Sequence, residues 1–212
     1  MFEWLRDGGV FTWLLLGLSV LALGFVLERF RALGRRRVLP PELARLVDTA
    51  DPATLRGACA TTPSPLARLL VSILDHLAWS KNENLAALQV QARREVILLE
   101  RGLVALEIIV GIAPLLGLVG TIQAIIPLFG DFGKAMAGDN TLLAKGIGAA
   151  LNKTLLGLMV AIPSLVAWSS FNKRVEVLAV ELETVCDRLL RRHYLKGGDA
   201  PAAGATGATG AP

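Results

Sequence analysis

The chain has 212 residues, 53% of them hydrophobic, and a formal net charge of +4. Its mean hydropathy of +0.54 is too high for a soluble domain with a wetted surface and indicates an integral membrane protein. A soluble enzyme is not expected, because the sequence contains no GxSxG, CxxC or Walker-type loop, and its two histidines, His76 and His193, lack metal-ligand neighbours. We therefore expect no catalytic residue, no cofactor and no metal site.

The first apolar run, from Val10 to Leu27, predicts a membrane span. The arginines that follow it are Arg29, Arg31, Arg35, Arg36 and Arg37. A cleavable signal peptide carries its positive charge before the apolar run, so we interpret this one as an uncleaved anchor with the N-terminus outside. The positive-inside rule then places every basic cluster in the cytoplasm. This topology explains the pI of 9.4, and no nucleic-acid partner is expected.

The next stretch predicts a helical cytoplasmic domain. Pro41 suits a first helical turn, and Asp51 and Ser64, each followed by proline, are typical N-caps. Asn82 is a candidate cap for a further helix. No evident breaker separates that helix from Leu103, so we expect it to run on into the second span.

Two long apolar segments follow, from Ile108 to Phe129 and from Leu142 to Phe171, and each is long enough to cross a bilayer. The third span has no stop signal at its end. An apolar stripe continues beyond it through Val177, Val180, Val185 and Leu189, so we expect a helical extension into the cytoplasm.

The predicted fold is therefore an all-α membrane protein with three transmembrane helices, the second and third extending into a helical cytoplasmic domain. The predicted organisation is an external N-terminus (1–9), transmembrane helix 1 (10–28), a cytoplasmic helical domain (29–102), transmembrane helix 2 (103–130), an external loop (131–141), transmembrane helix 3 (142–171), a cytoplasmic helix (172–196) and a disordered, low-complexity tail (197–212).

Small residues recur at every fourth position in the last two spans. They are Ala113, Gly117 and Thr121 in the second span, and Gly146, Ala150 and Thr154 in the third, where Gly157 and Ala161 form another pair. Small residues at this spacing allow helix backbones to approach closely. In one interpretation the stripes only pack the two helices together, with each hydroxyl bonded to its own i−4 carbonyl. In the other, the threonine inside each span belongs to a polar pathway.

Two segments carry a family resemblance: APLLGLVGT, from Ala113 to Thr121, and KGIGAALNKTLLGLMVAIP, from Lys145 to Pro163. They resemble the signature of the ExbB/TolQ/MotA family of ion-driven inner-membrane motors. The order of elements is similar to ExbB and TolQ, whereas MotA relatives have four spans. The resemblance implies a homo-pentamer in the bilayer around two copies of a single-span ExbD/TolR-like partner with a membrane aspartate. It also implies a TonB- or TolA-like protein as a further partner.

The resemblance also implies roles for particular residues. Thr121 and Thr154 match the two threonines that line the ion pathway, with Asn152 and Lys153 beside them. The residues implied to pack the helices and shape the pore are Ala113, Pro114, Gly117, Gly120, Gly146, Ala150, Gly157, Ala161 and Pro163. The two prolines among them would free backbone carbonyls near the pathway.

One departure from the family pattern concerns charge. The position that is usually a glutamate is Ala149, and a lysine, Lys153, follows four residues later on the same helix face. Lys153 either faces the pore or extends its ammonium to the outer headgroups. Both interpretations stay open from the sequence.

Taken with the residues, the resemblance implies the stator-like wall subunit of a proton-motive-force-driven motor in the bacterial inner membrane. ExbB-like energising of outer-membrane transport is the first expectation. A TolQ-like envelope-maintenance motor and a non-conducting membrane scaffold are the alternatives. A self-contained channel is disfavoured because no acidic residue lies at mid-span.

Overall fold

The computed structural model describes residues 9–132 and 140–198, and within these ranges every regular element is a helix. The helices are α1 (Gly9–Ala32), α2 (Arg35–Val38), α3 (Pro41–Thr49), α4 (Pro52–Thr61), α5 (Pro65–Asp75), α6 (Lys81–Glu100), α7 (Leu103–Phe132) and α8 (Asn140–Gly198). Three of them, α1, α7 and α8, are long and apolar enough to cross a membrane. This confirms the predicted all-α class with three candidate spans.

The predicted external N-terminus (1–9), external loop (131–141) and disordered tail (197–212) lie outside the described residues, apart from a few residues at their edges. The chain divides into two compact units. The first comprises Met1–Gly34 and Ile97–Glu176, and the second comprises Arg35–Val96 and Val177–Pro212.

In the first unit, α1 packs against α7, and the N-terminal part of α8 completes the group. The buried centre consists of Leu15 from α1, Ala113 from α7 and Ala161 from α8. The opposite side of α1 is apolar and exposed, with Trp13 and Val20 among its outward residues. A helix that is apolar on its exposed side is typical of a membrane span, since lipid replaces water around it.

The predicted continuous helix into the second span is wrong, because α6 ends at Glu100 and α7 begins at Leu103. The two-residue turn between them contains Gly102, where an added Cβ would overlap the guanidinium of Arg29. Arg29 Nη1 also donates to the Leu99 carbonyl at 3.3 Å, and so serves a carbonyl near the end of α6. The break is therefore stabilised by a side chain from α1, which lies about 70 residues away in sequence.

In the second unit, local capping starts the helices. Asp51 and Ser64 accept from the backbone N–H groups of Thr54 and Ala67, at 3.3 and 3.1 Å, which confirms both predicted N-caps. The prediction of Asn82 as a cap is wrong. Ser80 and Glu83 instead exchange side-chain-to-backbone hydrogen bonds as a capping box, which starts α6 at Lys81, two residues earlier than a cap at Asn82 would.

The C-terminal part of α8 packs in the second unit through a face that matches the predicted stripe at Val185 and Leu189 but not at its first two positions. Its buried residues are Leu178, Leu182, Val185, Cys186, Leu189 and Leu190. Val177 and Val180, which were predicted to be in the buried stripe, are exposed. The burial pattern follows helical spacing, but packing rotates the helix so that these two valines face outward.

Arginines of α8 bind the region around α3. Arg188 pairs with Asp48 at 2.6 Å, and Arg192 donates to the carbonyls of Val47, Thr49 and Ala50. These carbonyls belong to the last turn and the C-cap of α3, which lack helical donors. One guanidinium therefore caps three carbonyls at this helix end.

Candidate ion pathway between α7 and α8

α7 and α8 come into backbone contact at two glycines. A Cβ added at Gly157 would lie 2.6 Å from the Ala113 carbonyl oxygen and 3.1 Å from Gly117 Cα. A Cβ added at Gly117 would lie 2.9 Å from the Lys153 carbonyl oxygen and 3.1 Å from Thr154 Cα. At both positions an added Cβ would overlap main-chain atoms of the other helix, so α7 and α8 approach closely at these two glycines.

The two threonines converge on one turn of α7. Thr121 is 7% exposed, and its hydroxyl donates to the Leu118 carbonyl at 2.6 Å. The Thr154 hydroxyl, on α8, is half-buried and lies 3.5 Å from the neighbouring Gly117 carbonyl. The contact at Gly117 is long for a hydrogen bond, so it restrains the Thr154 hydroxyl only weakly. Thr154 is thus the freer of the two groups.

The packing interpretation expected each threonine to bond to its own i−4 carbonyl. Neither threonine does so. Thr121 uses the i−3 carbonyl, and Thr154 reaches across to the other helix. Ser164, deeper in α8, does use its i−4 carbonyl, that of Val160, at 2.7 Å. The threonines are therefore placed differently from a serine that serves only its own helix.

Lys153 is half-buried, with its aliphatic stem on α7. A Cβ added at Gly120 would lie 3.3 Å from Lys153 Cδ and 3.4 Å from Phe11 Cβ, so the stem, Gly120 and Phe11 meet at one point. Phe11 is the third residue of α1. The Lys153 stem therefore lies level with the first turn of α1, whereas α7 continues for twelve residues beyond Gly120, to Phe132. This contact does not decide between the pore-facing and the headgroup interpretation, and both stay predictions.

The remaining predicted residues divide into a buried set and an outward set. Ala150, like Ala113 and Ala161, is buried in the contact between the helices. Gly146 and Asn152 are half-buried, whereas Ala149, at the usual position of the family glutamate, is exposed.

Three prolines interrupt the hydrogen-bond ladders of these helices. Pro114 and Pro163 lie inside α7 and α8 as predicted, and Pro127, which the sequence reasoning did not single out, lies inside α7 as well. Each removes the N–H that would bond to the carbonyl four residues earlier. For Pro127 that residue is Gln123, an exposed amide within the span. A polar residue in an apolar run was the available signal, and it was overlooked.

The contact between α7 and α8 presents two threonine hydroxyls. The sequence of the second and third spans contains a single carboxylate, Glu107, which is exposed. A hydroxyl can donate and accept a hydrogen bond but does not titrate near neutral pH. The contact between α7 and α8 can therefore solvate a proton-carrying carboxylate but cannot itself supply one.

Residues 61–184 match the sequence profile of the MotA/TolQ/ExbB proton channel family. The chain belongs to this family. The matched residues include all of α6 and α7 and most of α8, and with them Thr121, Thr154 and both glycines of the helix contact. The feature that led to the resemblance is thus inside the segment that defines the family.

Relatives cover the chain to different extents. An ExbB-like biopolymer transport protein of Synechocystis, ExbB-like 3, is 29% identical over 164 residues, which are 74% of this chain and 78% of that protein. Biopolymer transport protein ExbB of Helicobacter pylori is 38% identical over 81 residues, 38% of this chain and 56% of that protein. The Tol-Pal system protein TolQ of Pseudomonas aeruginosa is 33% identical over 101 residues, 48% of this chain and 44% of that protein.

Proposed function

We propose that the chain is the stator-like wall subunit of a proton-motive-force-driven motor of the bacterial inner membrane. It would work as ExbB does, energising outer-membrane transport through an ExbD-like partner, and we assign it no enzymatic role. The observation that carries the proposal is the convergence of Thr121 and Thr154 on one turn of α7, inside the segment that defines the family. The ion-carrying carboxylate is supplied by the partner.

The two hydroxyls suit a carboxylate that changes its protonation state. A hydroxyl can donate to an ionised carboxylate and accept from a protonated one, whereas an alkyl group can do neither. An unpartnered buried carboxylate is costly, because it loses its hydration without replacement. Thr154, whose own contact with the Gly117 oxygen is 3.5 Å, can turn to such a group at little loss.

The test uses the chain purified with a single-span partner that carries one membrane aspartate and reconstituted into proteoliposomes. Thr154→Val keeps the side-chain shape and removes the hydroxyl, and we expect proton flux to fall by about 10-fold or more, as for a lost hydrogen bond to a charged group. Thr154→Ser should retain flux. Thr121→Val should lower flux and also stability, because the 2.6 Å bond of Thr121 is satisfied within α7.

The matched control is Ser170→Ala, which removes an exposed hydroxyl bonded to the Val166 carbonyl of the same helix. It should leave flux unchanged. Normal flux in both valine variants would mean that the threonines only pack the helices. Absence of flux in the unmodified complex, with an intact assembly, would instead favour the non-conducting scaffold.

The proposed assembly is a homo-pentamer around two copies of the partner, with the bilayer surrounding the exposed side of α1. Native mass spectrometry of the purified complex should give a 5:2 subunit ratio. A dimer or tetramer of the chain would refute the proposed ring. A TonB- or TolA-like protein is the proposed recipient of the motion.

The proposed orientation has the N-terminus in the periplasm and the C-terminus in the cytoplasm. Single cysteines introduced at Phe2 and Thr141 should react with an impermeant thiol reagent from outside, and a cysteine at Ala205 only from inside. Protection of the Thr141 position from the outside reagent would contradict the scheme.

A TolQ-like role in envelope maintenance is the second candidate, favoured by the match to TolQ of Pseudomonas aeruginosa over 48% of this chain. Complementation separates the two roles. Restored outer-membrane transport in a strain that lacks ExbB supports the first, and restored envelope integrity in a strain that lacks TolQ supports the second.

A further inference from the structure

An open groove of about 740 Å³ lies within the second unit, between α2, α3 and the C-terminal part of α8. Four arginines from these three helices line it: Arg35, Arg36, Arg45 and Arg188. Such a convergence differs from a run of surface charges along one helix, because the guanidinium groups surround a common space.

Two of the four arginines are held by carboxylates of the groove. Arg35 Nε pairs with Glu181 at 2.9 Å, and Arg188 pairs with Asp48 at 2.6 Å. Within the described part of the chain, neither Arg36 nor Arg45 forms an ion pair. The groove therefore keeps a net positive charge, and its two paired arginines help to hold its walls in place.

The same groove presents an apolar strip beside the arginines. Leu39, Ala44 and Val185 line it, together with Val180, whose surface is 62% exposed. An exposed valine next to uncompensated guanidinium groups suits a ligand with an anionic head and an apolar body. A purely ionic ligand, such as free phosphate, would make no favourable contact with the apolar strip.

One side of the groove follows the first candidate span closely in sequence. Arg35 follows Ala32, the last residue of the first candidate span, by three residues. Covalent geometry keeps them within about 11 Å of each other. Headgroups extend about 5–8 Å beyond the hydrocarbon, and charges act over about 8 Å in physiological salt, so Arg35 and the adjacent Arg36 are within reach of lipid phosphates.

We propose that this groove binds an anionic phospholipid of the cytoplasmic leaflet. Arg36 and Arg45 donate to the phosphate oxygens, since a guanidinium fork matches two of them. The glycerol and first methylenes lie on the strip at Val180. The choice of leaflet follows the orientation given in the proposed function, whereas the binding chemistry is independent of it.

The test measures lipid binding to the complete chain by native mass spectrometry after delipidation in detergent. Phosphatidylglycerol and phosphatidylcholine are titrated in parallel, at low and physiological salt. Phosphatidylglycerol should bind more tightly, and salt should weaken it. Arg36→Gln and Arg45→Gln should each lower its affinity about 5-fold, and the double variant about 30-fold, from about 1 kcal/mol per arginine.

The matched control is Arg93→Gln with Arg94→Gln, which removes two exposed arginines of α6 in the same unit but outside the groove. It should leave affinity unchanged. An equal loss in this control would overturn the proposal in favour of diffuse charge attraction. If inorganic phosphate displaced the lipid at a concentration as low as that of the lipid itself, the proposal would be overturned in favour of a free-anion site.

A further variant tests the apolar strip. Val180→Asn retains all four arginines and changes an exposed side chain, so folding should be unaffected. Lipid affinity should fall while any phosphate binding persists, and an unchanged lipid affinity would contradict the proposed seat of the glycerol. The readout does not involve proton flux, so this proposal and the proposed motor function fail separately.

Discussion

The helix contact at Gly157 offers the most direct test of the structure. In Gly157→Ala, the new Cβ would lie 2.6 Å from the Ala113 carbonyl oxygen, where ordinary contact begins at 3.4 Å. The obstructing atoms, the Ala113 carbonyl oxygen and Gly117 Cα, belong to the main chain and cannot rotate away. The two backbones must therefore part by about 0.8 Å along that line. Overpacking of this kind typically costs about 1–3 kcal/mol.

A second alanine variant removes the effect of helix propensity. Gly148, on the same helix, has nothing within 4 Å of an added Cβ. Gly148→Ala should be neutral or stabilising by up to about 1 kcal/mol, since alanine is the better helix former. Both variants gain that propensity term, so the difference of about 1–3 kcal/mol between them isolates the helix contact.

The assay is the free energy of unfolding of each purified variant in mixed micelles, measured by titration with a denaturing detergent. Gly117→Ala should behave like Gly157→Ala. The double variant should cost less than the sum of the two, because the helices part only once. Equal unfolding free energies for Gly157→Ala and Gly148→Ala would refute the backbone contact.

Three further predictions concern other parts of the chain. Arg29→Gln should lower the unfolding free energy by about 1–2 kcal/mol, because the Leu99 carbonyl loses its guanidinium donor; Arg31→Gln, an exposed neighbour, is the control. Lys153→Ala should move the pH optimum of proton flux upward if Lys153 faces the pore, and should leave the flux profile unchanged if its ammonium extends to the outer headgroups. Hydrogen bonds from Ser80 lower the pKa of Glu83, so this carboxylate stabilises the fold above its ordinary pKa, and the contribution is lost as pH falls through the lowered value. Glu83→Gln should therefore flatten the acid side of the stability curve, and an unchanged curve would contradict the capping box.

The caps show how far local sequence reasoning reaches. Asp51 and Ser64 were identified correctly because each accepts from an N–H three residues ahead, which is a local interaction. Asn82 was chosen wrongly, although Ser80 and Glu83 form a recognisable S-x-x-E capping box. That error concerned a signal present in the sequence.

The break between α6 and α7 is an error of another kind. Gly102 alone is a weak breaker, since an isolated glycine is tolerated inside a helix. Arg29, which occupies the space of its missing side chain, comes from a helix far away in sequence. No local pattern contains that contact.

The sequence by itself determined the helical class, the three candidate spans and the family, because hydropathy, residue spacing and motifs are properties of contiguous residues. It also selected Gly117 and Gly157, since small residues every fourth position describe a helix face. Only the tertiary structure decided which groups meet: the Thr154 hydroxyl at the Gly117 carbonyl, and the Lys153 stem at Gly120. The rotation of each helix about its axis is set by packing against distant segments, so the periodicity within one helix does not predict it.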